Sequence, residues 1–210
     1  LPSRALGDLE AKILGAKRSE HDVPGWMVAD LYFDYLHTGD ARPLKGVFYH
    51  NEIDVVSMAA LLNHMAGLLS EPLGTHVEYG LDIIAIGKLY ADLGYLETAT
   101  EIYQHGLNHD DVHPEAYWKA LNELSFLHKK RGDITQATVL WQQAAENEHI
   151  YAHIELAKFY EHRQKDISMA KHWTDAAIDI LTAQQHSSID KARFLPELEH
   201  RLARLQRKLE

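Results

Sequence analysis

One sequence pattern occurs three times in the second half of the chain. The segments AIGKLYADLGYLETATEIYQHGL (85–107) and ELSFLHKKRGDITQATVLWQQAA (123–145) align without a gap, and ELAKFYEHRQKDISMAKHWTDAA (155–177) follows. All three copies share an alanine and an aromatic residue, and the first two also share a turn glycine: Ala99, Ala137 and Ala170; Tyr103, Trp141 and Trp173; Gly94 and Gly132. The pattern of each copy predicts two helices joined by a tight turn. Such a unit cannot bury its apolar face alone, so the copies are expected to stack.

The remaining segments also show helical periodicity and no alternation typical of strands. Apolar residues recur at helical spacing in MVADLYFDYL (27–36) and in DVVSMAALLNHMAGLL (54–69). The last segment, FLPELEHRLARLQRKL (194–209), places Leu198, Leu202, Leu205 and Leu209 on one side, as a capping helix does. Six basic residues against three acidic ones between 191 and 210 are expected to complement the helix dipole. We therefore predict an all-α chain.

The three copies resemble the tetratricopeptide repeat. The resemblance lies in Gly87 with Tyr90, and in Ala99 with Tyr103 and its counterpart Ala137 with Trp141. Ser125 and His128 depart from the pattern in the middle copy, and the third copy lacks the turn glycine. The resemblance implies a solenoid over about residues 76–184, capped by 185–210, with a groove for a protein or peptide partner. The groove residues are predicted to be Lys88, Asn122, Lys129 and Lys158.

The candidate for chemistry in the first 70 residues is a histidine and an aspartate one helical turn apart. His50 and Asp54 lie at the start of an apolar helical run, FYHNEIDVVSMAALL (48–62), so both project from one face near a helix N-terminus. A carboxylate there can hold a divalent ion while an imidazole takes a proton from water. The same spacing also occurs as a helix cap or a surface pair.

The surrounding sequence resembles the C-terminal end of a bacterial family of ribonuclease H-like, DEDD-type 3'-5' exonuclease domains. Pro24-Gly25, the aromatic residues of LYFDYL (31–36), Gly39-Asp40 and above all HNEIDVVSM (50–58) carry the resemblance over about residues 1–70. It implies a two-metal phosphodiesterase in the intact protein, using Mg²⁺ or Mn²⁺. His50 would match the general base and Asp54 the last of four metal-binding carboxylates.

Two departures from that family limit what this chain is expected to do. Three residues separate His50 from Asp54, as in the tyrosine-type enzymes, and Tyr49 lies about 140° around the helix from Asp54, so His50 is preferred as the base. The Asp-x-Glu pair and the middle aspartate have no counterpart in this sequence. We therefore expect an inactive fragment without a cofactor, a few helices of the nuclease fold that expose Trp26, Tyr32 and Phe33 unless these residues pack on the repeats.

Composition narrows the remaining function classes. The chain has no cysteine, which excludes disulfides and thiolate metal sites and is compatible with the cytoplasm. No uncharged apolar run of about 18 residues exists, so no membrane partner is expected. The net charge of -10 argues against a surface that binds nucleic acid throughout. The fifteen histidines include His105, His109 and His113, and His149 with His153, which are predicted to be solvated polar residues and not zinc ligands.

Two hypotheses remain open from the sequence. In the first, a helical-repeat module that binds a protein partner is attached to the tail of a metal-dependent 3'-5' exonuclease-like domain, and the intact protein also binds single-stranded nucleic acid. In the second, the chain is a tetratricopeptide scaffold without any link to a nuclease. Degradation of a nucleic acid by the intact protein, lost on Asp54→Ala, separates them.

Overall fold

Every regular element that the computed structural model describes is helical. It describes residues 3–74, 77–183 and 188–210, and within these ranges there are ten α-helices and no strand, which confirms the all-α prediction. The predicted repeat boundaries at 76 and 184, and the start of the capping segment at 185, lie outside the described residues. The chain divides into two compact units, Leu1–Glu71 and Pro72–Glu210.

The first unit contains three α-helices and two irregular helical turns. Gly15, at φ 65°, ends the π-helical turn, and Gly39, at φ 72°, ends the second α-helix; both adopt the left-handed conformation that glycine adopts readily. The third helix packs against the second helix and against a π-helical turn. In chain order the elements are α1 (Leu6–Leu9), a π-helical turn (Glu10–Leu14), a 3-10 turn (Gly25–Met27), α2 (Val28–Thr38) and α3 (Leu44–Ser70).

Helix α3 comes close to the loop before α2 at Gly46. A Cβ atom at residue 46 would lie 2.6 Å from Cγ1 of Val23 and 3.1 Å from the carbonyl oxygen of His21. These distances are shorter than a carbon can occupy, so the loop can pack against α3 only because residue 46 has no side chain. The contact holds the loop that contains residues 18–23 against the first turn of α3.

The apolar stripes of α2 and α3 are mostly exposed in this chain. Trp26, Tyr32 and Phe33 are exposed as predicted, with 75%, 51% and 55% of their surface accessible. On α3 the exposed residues include Val55, Met58, Leu62 and Met65. By length and composition α3 is also long and apolar enough to cross a bilayer, although no membrane partner is expected from the sequence. Length and composition do not distinguish a bilayer from a protein partner as the cover of this face.

The second unit contains seven helices, each of which packs on the next one in the chain. Gly94 and Gly132 make the first two predicted turns with φ of 88° and 86°. At the third turn, which lacks glycine, Lys165 adopts the left-handed conformation at φ 60°. In chain order the helices are α4 (Gly80–Asp92), α5 (Leu96–Leu107), α6 (Pro114–Arg131), α7 (Ile134–Ala145), α8 (Ile150–Phe159, continued by a π-helical turn Tyr160–Gln164), α9 (Ile167–Thr182) and α10 (Ser188–Leu209).

The core of the second unit contains the small and aromatic residues of the repeated pattern. Ala99, Ala137 and Ala170 are fully buried, and Tyr103 and Trp141 are each 1% exposed. These small residues let neighbouring helices approach closely, and the aromatic side chains fill the space that remains.

The departures from the pattern in the middle copy have a physical explanation. Buried Ser125 accepts a hydrogen bond of 2.9 Å from Nε1 of Trp141, and His128 lies 3.2 Å from the carboxylate of Asp133, the N-cap of α7. Ser125 and His128 therefore provide hydrogen-bonding groups to Trp141 and Asp133, which apolar residues at these positions would not provide.

One histidine departs from the predicted solvated state. His153 is only 4% exposed; its ring packs against Trp173 at 5.5 Å between centroids, and its Nδ1 lies 3.1 Å from the carbonyl oxygen of His149. Burial lowers the pKa of His153, so a neutral imidazole is favoured there.

Candidate functional site

His50 and Asp54 lie on successive turns of α3, and their side chains face each other. Nε2 of His50 is 3.4 Å from Oδ2 of Asp54, and the two side chains are 20% and 31% exposed. Gly25 lies beside the histidine, since a Cβ there would be 3.7 Å from Nε2. The pair is thus partly shielded from water.

The guanidinium of Arg18 connects this pair to two further carboxylates. It forms a two-pronged ion pair with Glu10, with both N–O distances at 2.6 Å, and donates to Oδ2 of Asp22 at 3.2 Å. It also donates to Oδ1 of Asp54 at 2.5 Å and lies 3.2 Å from Nδ1 of His50. Three carboxylates and one imidazole therefore surround one guanidinium.

The carboxylate of Asp22 orients the imidazole of His50. Nδ1 of His50 lies 2.8 Å from Oδ1 of Asp22, the arrangement of a ring N–H that donates to a carboxylate. In that tautomer Nε2 carries the free lone pair and points towards Asp54. The pair can therefore take up a proton at Nε2 while Asp22 stabilises the resulting charge.

The electrostatics of the cluster favour its charged forms. Hydrogen bonds from Arg18 hold the pKa of Glu10 below its usual value although burial opposes this, and Ser57 adds a further hydrogen bond. Burial by itself raises the pKa of Asp22, but hydrogen bonds from His50 and Arg18 outweigh it, so this pKa is lowered. The hydrogen bond to Glu10 in turn raises the pKa of Arg18. The guanidinium is accordingly a permanent cation at the centre of the cluster.

The donor set of the described residues does not by itself fit a metal ion. Among them no group of three or more histidine or acidic side chains is arranged to hold one. The reason lies in Arg18, whose cationic nitrogens already occupy the space that the carboxylates of Glu10, Asp22 and Asp54 enclose. Asp54 keeps one oxygen, Oδ2, that the guanidinium does not contact.

Sequence reasoning found two of the five members of this cluster. Arg18 and Asp22 are four residues apart, but they lie in an irregular loop where this spacing carries no helical meaning. Glu10 is buried at 1% exposure in a π-helical turn. Tyr49, the alternative base, has its hydroxyl 3.2 Å from the backbone nitrogen of Ser19, which donates to it.

Three of the four residues predicted to line the repeat groove form ion pairs within the chain. Lys88 on α4 pairs with Asp92 at 2.9 Å. Lys129 on α6 and Lys158 on α8 both donate to Glu155, at 2.5 and 2.8 Å. Burial raises the pKa of Glu155, but these two hydrogen bonds outweigh it and lower the pKa. Two lysines on one carboxylate leave an excess of one positive charge.

Asn122 differs from the three lysines, because one of its side-chain polar atoms has no partner in the described part of the chain. Its Oδ1 is buried and has no hydrogen-bond partner in the described part of the chain. A buried amide oxygen without a partner is uncommon, because its desolvation is not compensated. It is therefore the predicted groove residue with an unused hydrogen-bonding atom.

Comparison with known proteins supports a ribonuclease H-like sequence in the first unit. Residues 1–66 match the family described as the RNase_H superfamily. Over 209 residues the chain is 29% identical to the uncharacterized protein YprB of Bacillus subtilis (strain 168), an alignment that covers 97% of this chain and 48% of YprB. The chain therefore spans about half the length of the curated relative it matches.

Proposed function

We propose that residues 1–66 form one part of a metal-dependent 3'-5' exonuclease-like domain, which a longer protein of about the length of YprB completes. The observation that carries the proposal is the match of these residues to the RNase_H superfamily, together with the His50–Asp54 pair that Asp22 orients within them. In this reading the 210-residue chain is inactive by itself. In the longer protein, the exonuclease-like domain would be followed by the helical second unit of this chain.

Each residue of the cluster has a role in this proposal. Asp22 holds the ring of His50 so that Nε2 accepts a proton, and Asp54 supplies one carboxylate for Mg²⁺ or Mn²⁺ in the longer protein. Arg18 fixes Oδ1 of Asp54 and leaves Oδ2 available. Since the residues of this chain do not hold a metal by themselves, the remaining carboxylates belong to the rest of the longer protein.

The exposed apolar face of the first unit supports the same proposal. Monomeric soluble proteins rarely expose a continuous apolar surface as large as that of α2 and α3. A sheet of the longer protein is the cover we propose, since one face of each helix in a layered α/β domain is buried against its sheet. A bilayer is a poorer cover, because the charged cluster around Asp54 lies on the same helix.

Cysteine labelling tests the proposed cover. The 210-residue chain has no cysteine, so Leu62→Cys introduces a single thiol at a position that is 68% exposed. We expect fast labelling in this chain and slow labelling in the longer protein freed of other cysteines. Lys119→Cys, exposed on the second unit, is the control and should react equally fast in both. Equally fast labelling of Leu62→Cys in both proteins contradicts the proposal.

An activity measurement tests the chemistry. The longer protein with Mn²⁺ should shorten a single strand from its 3' end, and Asp54→Ala and His50→Ala should each remove this activity. Tyr49→Phe, which keeps the ring but removes the hydroxyl, should retain it. Degradation that survives Asp54→Ala overturns the assignment of the site, and absence of any degradation favours a scaffold without nuclease activity.

We also propose that the second unit stacks as three tetratricopeptide-like helix pairs, α4 with α5, α6 with α7 and α8 with α9, which bind a protein or peptide partner. The support is the burial of the repeated alanines and aromatic residues between successive helices. The groove would use Asn122 and the shared lysines Lys129 and Lys158. An acidic peptide that binds the chain should lose affinity on Lys129→Ala or Asn122→Ala, whereas Lys119→Ala should leave its binding unchanged.

A further inference from the structure

Positive charge is concentrated on one side of the last helix, α10. At about 100° per residue, five of its six basic residues from 193 onward, with His200 included, fall within a sector of about 100°, and Arg201 lies about 20° beyond it. Within that stretch Glu197 is the one acidic residue in the sector, whereas Glu199 lies outside it and Glu210 follows the end of the helix. We call this surface the basic stripe; its members are Arg193, His200, Arg204, Arg207 and Lys208.

The neighbouring π-helical turn neutralises only a small part of this charge. Glu161, 2% exposed, accepts hydrogen bonds from Arg201 at 2.8 Å, Arg204 at 2.7 Å and Lys208 at 2.9 Å. One carboxylate thus faces three cations, and both of its oxygens are already used. The side chains of Arg204 and Lys208 remain 35% and 45% exposed, so their surplus charge faces solvent.

The helix dipole does not account for the whole stripe. The dipole favours cations within the last turn of a helix, which covers Arg207 and Lys208. Arg193 lies several turns earlier and is exposed, and its guanidinium stacks 4.9 Å from the ring centre of Phe194 without a carboxylate partner in the described residues. Charge at that distance from the helix end needs another explanation.

We propose that the basic stripe binds the phosphates of a single-stranded nucleic acid. Arginine guanidinium groups match phosphate oxygens in a two-pronged geometry, and three of the five members are arginines. From Arg193 to Lys208 the stripe is about 22 Å long at 1.5 Å per residue, enough for several successive phosphates of a flexible strand.

The choice of a nucleic acid over an acidic protein segment rests on the proposed nuclease function of the first unit. The net charge of the chain is -10, so a polyanion is repelled by most of the surface and held at this stripe alone. Binding should therefore be weak at physiological salt and depend steeply on salt concentration.

A salt titration of binding tests this inference. The full 210-residue chain is titrated without metal against a fluorescent oligothymidylate long enough to span the stripe, and affinity is measured by anisotropy at several salt concentrations. Arg193→Gln with Arg207→Gln removes two contacts and should lower the slope of log affinity against log salt by about 1.4. Lys119→Gln with Lys130→Gln, the same charge change on exposed lysines of α6, should leave the slope unchanged.

The outcomes separate this inference from the nuclease proposal. Equal loss of affinity in both double variants, or no salt-dependent binding by the unmodified chain, overturns the inference. Binding of a polyglutamate peptide in place of the oligothymidylate does the same and identifies an acidic protein as the partner. If the longer protein binds the strand but does not degrade it, the nuclease proposal is wrong and the inference about the basic stripe is retained. Circular dichroism of each variant verifies that α10 is intact.

Discussion

The buried carboxylate of Glu161 provides the sharpest stability prediction. Burial raises its pKa, but hydrogen bonds and charges from Arg204 and Lys208 outweigh burial and lower the pKa from 4.5 to about 2. A shift of this size corresponds to about 3 kcal/mol of folding stability. Because the folded pKa is lowered, this stability is present above pH 4.5 and is lost as the pH falls towards about 2.

Replacing Glu161 with glutamine should remove this contribution at neutral pH. The amide has nearly the same shape, but it leaves Arg201, whose side chain is 8% exposed, beside two further cations without their shared anion. Breaking a buried ion pair by removing one partner destabilises by about 3–5 kcal/mol. We expect Glu161→Gln to lower the free energy of unfolding by about 3 kcal/mol at pH 7.

Tryptophan fluorescence during urea denaturation measures this loss in the correct unit. Trp118, Trp141 and Trp173 all lie in the second unit, so Trp26→Phe in the first unit gives a background whose emission reports on residues 72–210. The matched control is Glu199→Gln on the opposite side of α10, which should change stability by less than about 0.5 kcal/mol. The reasoning is refuted if Glu161→Gln and the background lose stability in parallel between pH 5 and pH 2.

Three further substitutions test local packing by the same denaturation assay, monitored by circular dichroism. Ser125→Ala should cost about 1–3 kcal/mol, since it leaves the buried Nε1 of Trp141 without its acceptor; a loss below about 0.5 kcal/mol contradicts this. Lys165→Gly should stabilise the chain by up to about 1 kcal/mol, because residue 165 is left-handed, and any destabilisation refutes the assignment. Gly46→Ala should cost about 1–3 kcal/mol, and Val23→Ala in the same chain should recover part of it, since the two side chains would collide.

The sequence predicted the second unit more fully than the candidate site. Repeated small and aromatic residues such as Ala137 and Trp141 are local signals, since each contributes to contacts between helices that follow one another in the chain. His50 and Asp54 were found for the same reason, being one turn apart on one helix. Arg18 was not found, because its partners at positions 50 and 54 lie more than thirty residues away and its own loop has no periodicity.

The ion pairs between Glu161 and α10 illustrate the same limit at longer range. The basic residues of α10 were visible in sequence and were explained by the helix dipole, a local effect. Their neutralising carboxylate lies about forty residues earlier, in a π-helical turn that a helical pattern does not distinguish from the helix it continues. Long-range ion pairs of this kind depend on how helices stack, which composition and spacing do not contain.

Periodicity identifies which side chains favour burial, but it does not identify what buries them. The stripes of α5, α7 and α9 are covered because the neighbouring helices follow in the same chain. On α3 apolar residues also recur at helical spacing, yet Val55, Met58, Leu62 and Met65 are all more than half exposed. Burying such a stripe stabilises a protein by about 25 cal/mol per Å² of apolar surface. This stabilisation requires a second surface that covers the stripe. If the proposed sheet of a longer protein covers this stripe, the first unit should therefore be more stable in that protein than in the 210-residue chain.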